Sequence, residues 1–172
     1  MKTPISIVAA ALMLAACANL TPGGPTVRAD LAPTAGNTAK GSVTFSGRGD
    51  KLLVVADISG LTPGNHGFHV HEKGDCSAAD GTSAGGHFNP TGKPHGDPAM
   101  ADHHVGDMPM LVANAYGVAG LNVEISPATL GGGPTDIIGK AVIVHMSADD
   151  YKTQPTGNSG ARVACGIIIR VS

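Results

Sequence analysis

His69 and His71 stand one residue apart in "GFHVHEKGDC" (residues 67–76). Side chains alternate across a β-strand, so residues i and i+2 share a face roughly 6.6 Å apart. Two imidazoles so placed can converge on one metal ion, because metal–nitrogen bonds of about 2 Å fit between them. All eight histidines fall between residues 66 and 145. The stretch "HFNPTGKPHGDPAMADHHVGD" (87–107) adds His87, His95, His104 and Asp107. Three nitrogens and one carboxylate oxygen close a four-coordinate shell, the chemistry of a structural Zn²⁺. His145 ends the apolar run "AVIVH" and joins His69 and His71 in a second, imidazole-rich set that suits copper.

These side chains need a frame, and the chain reads as all-β. High Gly and Pro (25 and 12), only 14% charged residues and no helix-period segment point to many turns. Eight strand-like runs recur: 26–32, 40–46, 51–59, 65–72, 108–114, 116–125, 137–146 and 162–171. Short alternating runs bounded by Gly, Pro, Asn or Asp predict a sandwich or barrel. "GRGD" (47–50) reads as a tight hairpin turn joining the second and third runs. Residues 73–107 and 147–161 are two long loops, and a loop as long as the first needs something functional to pin it. A net charge of −2 argues against nucleic acid as a partner.

Residues 1–16 read as a secretory signal of lipoprotein type, with Lys2, a short apolar run and small residues. "LAAC" ending at Cys17 resembles a bacterial lipobox, which makes Cys17 the expected lipidation site, residues 17–25 a lipidated tether and 26–172 the folded domain. Three cysteines is an odd count for an exported chain. If Cys17 carries lipid, Cys76 and Cys165 remain, as one pair or as two buried thiols; an oxidising compartment favours the pair. Closing so long a loop contributes about 4–5 kcal/mol in the chain-entropy description, less any strain.

Five segments, "HGFHVHEKGDC" (66–76), "GGHFNP" (85–90), "HVGD" (104–107), "VIVHMSADD" (142–150) and "GNSGARVACGI" (157–167), resemble copper/zinc superoxide dismutases of the bacterial, exported type. The resemblance runs from about residue 26 to the end. It implies an eight-stranded antiparallel Greek-key barrel or sandwich with two long functional loops. It also implies dismutation of superoxide to dioxygen and hydrogen peroxide, with one copper and one zinc per subunit. His69, His71, His87 and His145 are the implied copper ligands. His87, His95, His104 and Asp107 are the implied zinc ligands, so His87 bridges both metals and exchanges a proton during turnover. Asp149 is the implied carboxylate linking His69 to His95, Arg162 the cation beside the copper, and Cys76–Cys165 the disulfide.

Other residues are assigned lesser roles. His66 is expected to be structural and His103 exposed, since only His104 keeps the HVGD spacing. Met100, Met108, Met110 and Met146 are spaced like packing residues, and Tyr151 like a packing or hydrogen-bonding one. The second loop, "DDYKTQPTGNSGAR" (149–162), lacks the charged cluster that relatives use to steer the anion. Lys73 is the steering candidate, with Lys152 read as a solvated surface residue. A dismutase-like lipoprotein that stores or delivers copper or zinc is the alternative function, although it needs neither Arg162 nor a bridging His87. The expected setting is outside the cytoplasm, facing the periplasm or cell exterior, attached through the N-terminal lipid only, as a monomer or homodimer.

Overall fold

A computed structural model describes residues 26–171. The strands are β1 (Thr26–Pro33), β2 (Lys40–Arg48), β3 (Lys51–Ser59), β4 (Gly64–His66), β5 (Phe68–His71), β6 (Leu111–Ala113), β7 (Ala119–Ile125), β8 (Ala141–His145), β9 (Arg162–Ile167) and β10 (Ile169–Arg170). The one helical element among the described residues is a 3₁₀ turn at Thr82–Ala84.

Every ladder is antiparallel. One sheet runs in the order β5-β8-β9-β1-β2-β3-β7, with β10 also on β1, and β4 pairs with β6. Pairing of β7 with β3, past three intervening strands, is a Greek-key connection. Since β4 leads into β5 and β6 into β7, the β4–β6 ladder joins the two edges and the sheet curls into a barrel. Arg48 pairs with Lys51, so Gly49 and Asp50 form the hairpin turn expected at "GRGD".

The barrel interior takes alternate residues, as the period of two requires. Val27, Ala29 and Leu31 of β1, Val43 and Phe45 of β2, and Val54, Ala56 and Ile58 of β3 meet Phe68, Val70, Val142 and Val144 there. Strands β5 and β8 break the alternation, being buried throughout. Their outer face is covered by the long loops, where Ala84, Ala141, Ile143 and Cys165 form a second small cluster. This covered outer face carries the metal-type residues.

Two of the eight expected runs divide, giving ten strands. The run at 65–72 breaks at Gly67, whose N–H donates to Ser147 O (2.8 Å) while its carbonyl accepts from His145 N–H (2.9 Å). A Cβ at Gly67 would collide with Ser159, so only glycine allows the close approach. The last run breaks at Ile168, whose N–H and carbonyl pair with Lys140 and Gly139 instead.

Candidate metal centre

Two groups of buried ligand-type side chains converge: His69, His71, His87 and His145, and His87, His95, His104 and Asp107. Within each group the ligand atoms lie within 4.8 Å of one another, and His87 belongs to both. Strand β5 places His69 and His71 on the outer face, with Phe68 and Val70 pointing into the barrel. Residue His145, at the end of β8, follows a register shift after Val144.

Hydrogen bonds fix which nitrogen of each ring is available. His71 Nδ1 donates to Gly85 O (2.9 Å) and His145 Nδ1 to Gly160 O (3.2 Å). Their Nε2 atoms then face each other at 3.4 Å. His69 is turned the other way, its Nε2 donating to Asp149 Oδ2 (2.6 Å). His87 Nδ1 and His95 Nδ1 approach Asp107 Oδ1 at 2.9 and 3.0 Å, and His104 Nδ1 at 3.4 Å. Asp107 Oδ2 accepts from the backbone N–H groups of Gly96 (3.2 Å) and His104 (2.9 Å), which aims Oδ1 at the three rings.

Among the described residues this leaves two buried side-chain nitrogens without a hydrogen-bond partner, His69 Nδ1 and His87 Nε2. Buried polar atoms are rarely orphaned, and each costs roughly 1–3 kcal/mol. Both belong to the all-histidine group. Four imidazole nitrogens fit copper, and three nitrogens with one carboxylate oxygen fit zinc.

The four histidines of the first group and His95 of the second differ electrostatically. Burial holds His71 well below the ordinary histidine value, His69 below it, His87 at about 4 and His145 at about 3. These rings are neutral at pH 7, the state a metal requires. For His95 burial opposes protonation, but hydrogen bonds to Asp107 and Asp149 outweigh it and raise the ring to about 9. Burial of Asp107 and Asp149 is likewise overcome by their histidine partners, which hold both carboxyls well below the usual range.

A family model described as copper/zinc superoxide dismutase matches residues 39–168. The chain belongs to the copper/zinc superoxide dismutase family. Copper and zinc are its metals, and superoxide is its substrate. It is 39% identical to the copper/zinc superoxide dismutase of Deinococcus radiodurans, over 96% of this chain and 94% of that one. It is 42% identical to an extracellular superoxide dismutase of Brugia pahangi, over 74% of this chain and 68% of that one. Among solved structures it is similar to that titled as the clock protein EA4, with TM-score 0.78 and 40% identity, covering 86% of this chain and 96% of that chain.

The remaining expectations for this dismutase can be placed. Asp149 Oδ1 accepts from His95 Nε2 (2.9 Å), so one carboxylate joins His69 to His95. Cys76 and Cys165 are disulfide-bonded. The Arg162 guanidinium donates to Gly81 O (2.7 Å) and Gly85 O (2.6 Å), and Gly85 O also accepts from His71. His66 is buried between backbone carbonyls, with Nδ1 2.7 Å from His145 O and Nε2 2.8 Å from Thr62 O. Tyr151 Oη accepts from Met110 N–H (3.1 Å). Of the methionines, Met108 is core, and Met100 and Met146 are exposed.

One expectation is corrected. His103 is buried, not exposed, because its Nδ1 turns inward to His104 O at 2.6 Å. Steering geometry also differs from the simplest reading. Arg162 lines a cleft with Thr34, Asn37, Asp80, Thr82 and Gly160. Lys73 lines a different one, with Glu72, His87, Phe88 and Lys140. Sequence reasoning missed Gly81, Gly85 and Gly160, which act through carbonyl oxygens that no side-chain type announces. Cys17 and the proposed leader and tether lie outside the described residues.

Proposed function

We propose that this chain is an exported, lipid-anchored enzyme that removes superoxide outside the cytoplasm, with His87 shared between its two metals. In this reading His69, His71, His87 and His145 hold copper, and His87, His95, His104 and Asp107 hold zinc. The observation that carries it is the pair of orphaned nitrogens, His69 Nδ1 and His87 Nε2, aimed into one all-imidazole group. Copper, when bound, supplies the one-electron couple that dismutation needs, and zinc supplies a Lewis acid.

The protein's own groups supply the rest. Arg162 offers a fixed cation to the anionic substrate, and its two carbonyl anchors hold it beside the His71 contact. His87 has its Nδ1 committed to the Asp107 side, so Nε2 is the atom that takes and returns a proton while peroxide forms. Asp149 keeps His69 and His95 in single tautomers. The disulfide supports export, since such bonds persist in oxidising compartments. The name of the extracellular Brugia pahangi relative points the same way. Residues 1–16 serve as the leader, Cys17 carries the lipid, 17–25 form the tether and 26–172 the enzyme.

Superoxide decay by the copper- and zinc-loaded protein tests the activity. Stoichiometric metal binding without turnover would leave the storage or delivery function standing. Mass spectrometry of the mature N-terminus tests the anchor; an unmodified start downstream of Cys17 would overturn it.

A further inference from the structure

The loop of residues 147–161 meets zinc-set residue His95 twice. Asp149 reaches its ring, as described. Gln154 reaches its backbone: the side-chain Nε2 donates to His95 O (2.9 Å) while Oε1 accepts from His95 N–H (2.9 Å). Nε2 also donates to Lys152 O (3.3 Å), so two carbonyls face one end of the amide and an N–H faces the other. That pattern permits only one amide orientation.

His95 needs this support. It follows Pro94 in an irregular loop and is buried, so its backbone groups are largely cut off from water. Among the described residues no other backbone or side-chain group pairs with the His95 N–H or carbonyl. A buried backbone group without a partner would cost about as much as a lost hydrogen bond.

We infer that Gln154 is a positioning residue for zinc: its amide clamps both backbone groups of His95 and ties the two long loops together. With the backbone clamped, the His95 ring can reach Asp107 at Nδ1 and Asp149 at Nε2 together. Because Asp149 also holds His69, the clamp links retention of zinc to the seating of a copper-set ring. The inference rests on the zinc assignment proposed above.

Gln154 is exposed at the surface, so its replacement leaves the core intact. Gln154→Met keeps the length and removes both bonds; Gln154→Glu keeps the acceptor and loses the donor. Both are compared with the full-length, metal-loaded wild type by zinc transfer to a colorimetric chelator and by hydrogen exchange at the His95 amide. Gln154→Met is expected to release zinc about tenfold faster, the lower end for losing a group that orients a ligand. Its His95 amide should lose protection, whereas Gln154→Glu should keep that protection and fall between the two in zinc release. Wild-type zinc release and His95 protection in Gln154→Met would overturn the inference. So would faster exchange confined to residues 147–161, which would mean that Gln154 serves only its own loop through Lys152 O. Asp107→Ala, measured in parallel, separates the two readings. If it loses zinc while Gln154→Met does not, the clamp alone fails; if it keeps zinc, the ligand assignment itself falls.

Discussion

His87 is the residue on which the two metal groups depend, and its neighbours can be separated by mutation. His145 belongs to the all-histidine group alone and Asp107 to the mixed group alone. His145→Ala is therefore expected to abolish copper-dependent turnover while one zinc per chain remains. Asp107→Ala should weaken zinc by at least about 100-fold, since losing a ligand costs more than losing its orienting partner. Metal analysis of both purified variants checks this, and equal loss of both metals in each would refute the partition. Arg162 and Lys73 differ in the same way. Lys73→Gln should lower kcat/KM a few-fold at low salt, with the defect fading as the Debye length shrinks from roughly 30 Å at 0.01 M to about 10 Å at 0.1 M. The Arg162→Gln defect should persist at both, because Arg162 is anchored beside the His71 contact and, in the proposed role, would also position the substrate. An unchanged rate for Lys73→Gln at low salt would leave the steering to Arg162.

Strands β5 and β8 present the site, and the two loops close over it. Their contact is tight enough to exclude a single carbon. Gly157 sits at φ +66°, and a Cβ there would overlap the Asp149 carboxylate and the His95 ring. Gly92 has nearly the same conformation, φ +65°, with open space around it. Gly92→Ala should therefore cost only the left-handed backbone penalty, about 1–2 kcal/mol. Gly157→Ala should cost at least ~2 kcal/mol more, because it also breaks the buried Asp149 bridge. Denaturant melts of the two variants measure the difference; equal losses would mean that the loop shifts to admit the methyl group.

The whole molecule carries a pH signature in its metal-free form. His69, His71, His87 and His145 titrate below 6.5 when folded and at 6.5 when unfolded, so the unfolded chain binds more protons in acid. Their contribution falls as pH drops below 6.5. His95 runs the opposite way: raised to about 9, it stabilises fully below 6.5 and loses that contribution as pH climbs towards 9. The depressed Asp107 and Asp149 contribute above the ordinary carboxylate value of 3.8 and lose it in acid. The chelator-treated protein should thus be most heat-stable near pH 6.5. If His95 holds zinc, as proposed, the metal would take the place of the extra proton, so the alkaline decline should shrink in the loaded enzyme. Thermal scans of both forms from about pH 4 to about pH 9 check the sign; a flat metal-free profile above 6.5 would refute it.

The sequence alone determined whatever depends on short-range periodicity or residue chemistry. The pleat puts His69 and His71 on one face whatever else the chain does, and Gly49 and Asp50 turn a hairpin wherever they sit between alternating runs. Imidazole and carboxylate types named the metals and placed His145 with His69 and His71, and family motifs added Asp149 and Arg162 as neighbours of the ligand set. Tertiary structure decided the rest. Both divided runs break where a distant backbone takes their hydrogen bonds, Ser147 and His145 at Gly67 and the 139–140 turn at Ile168. His103 is buried because the covering loop turns it inward, which its polar type does not predict. The anchors of Arg162, His71 and His145 are carbonyl oxygens of Gly81, Gly85 and Gly160, and every residue has a carbonyl. Gln154 grips a backbone 59 positions away in the same manner. Such contacts are set by how the chain packs, since a backbone acceptor leaves no mark in the order of side chains.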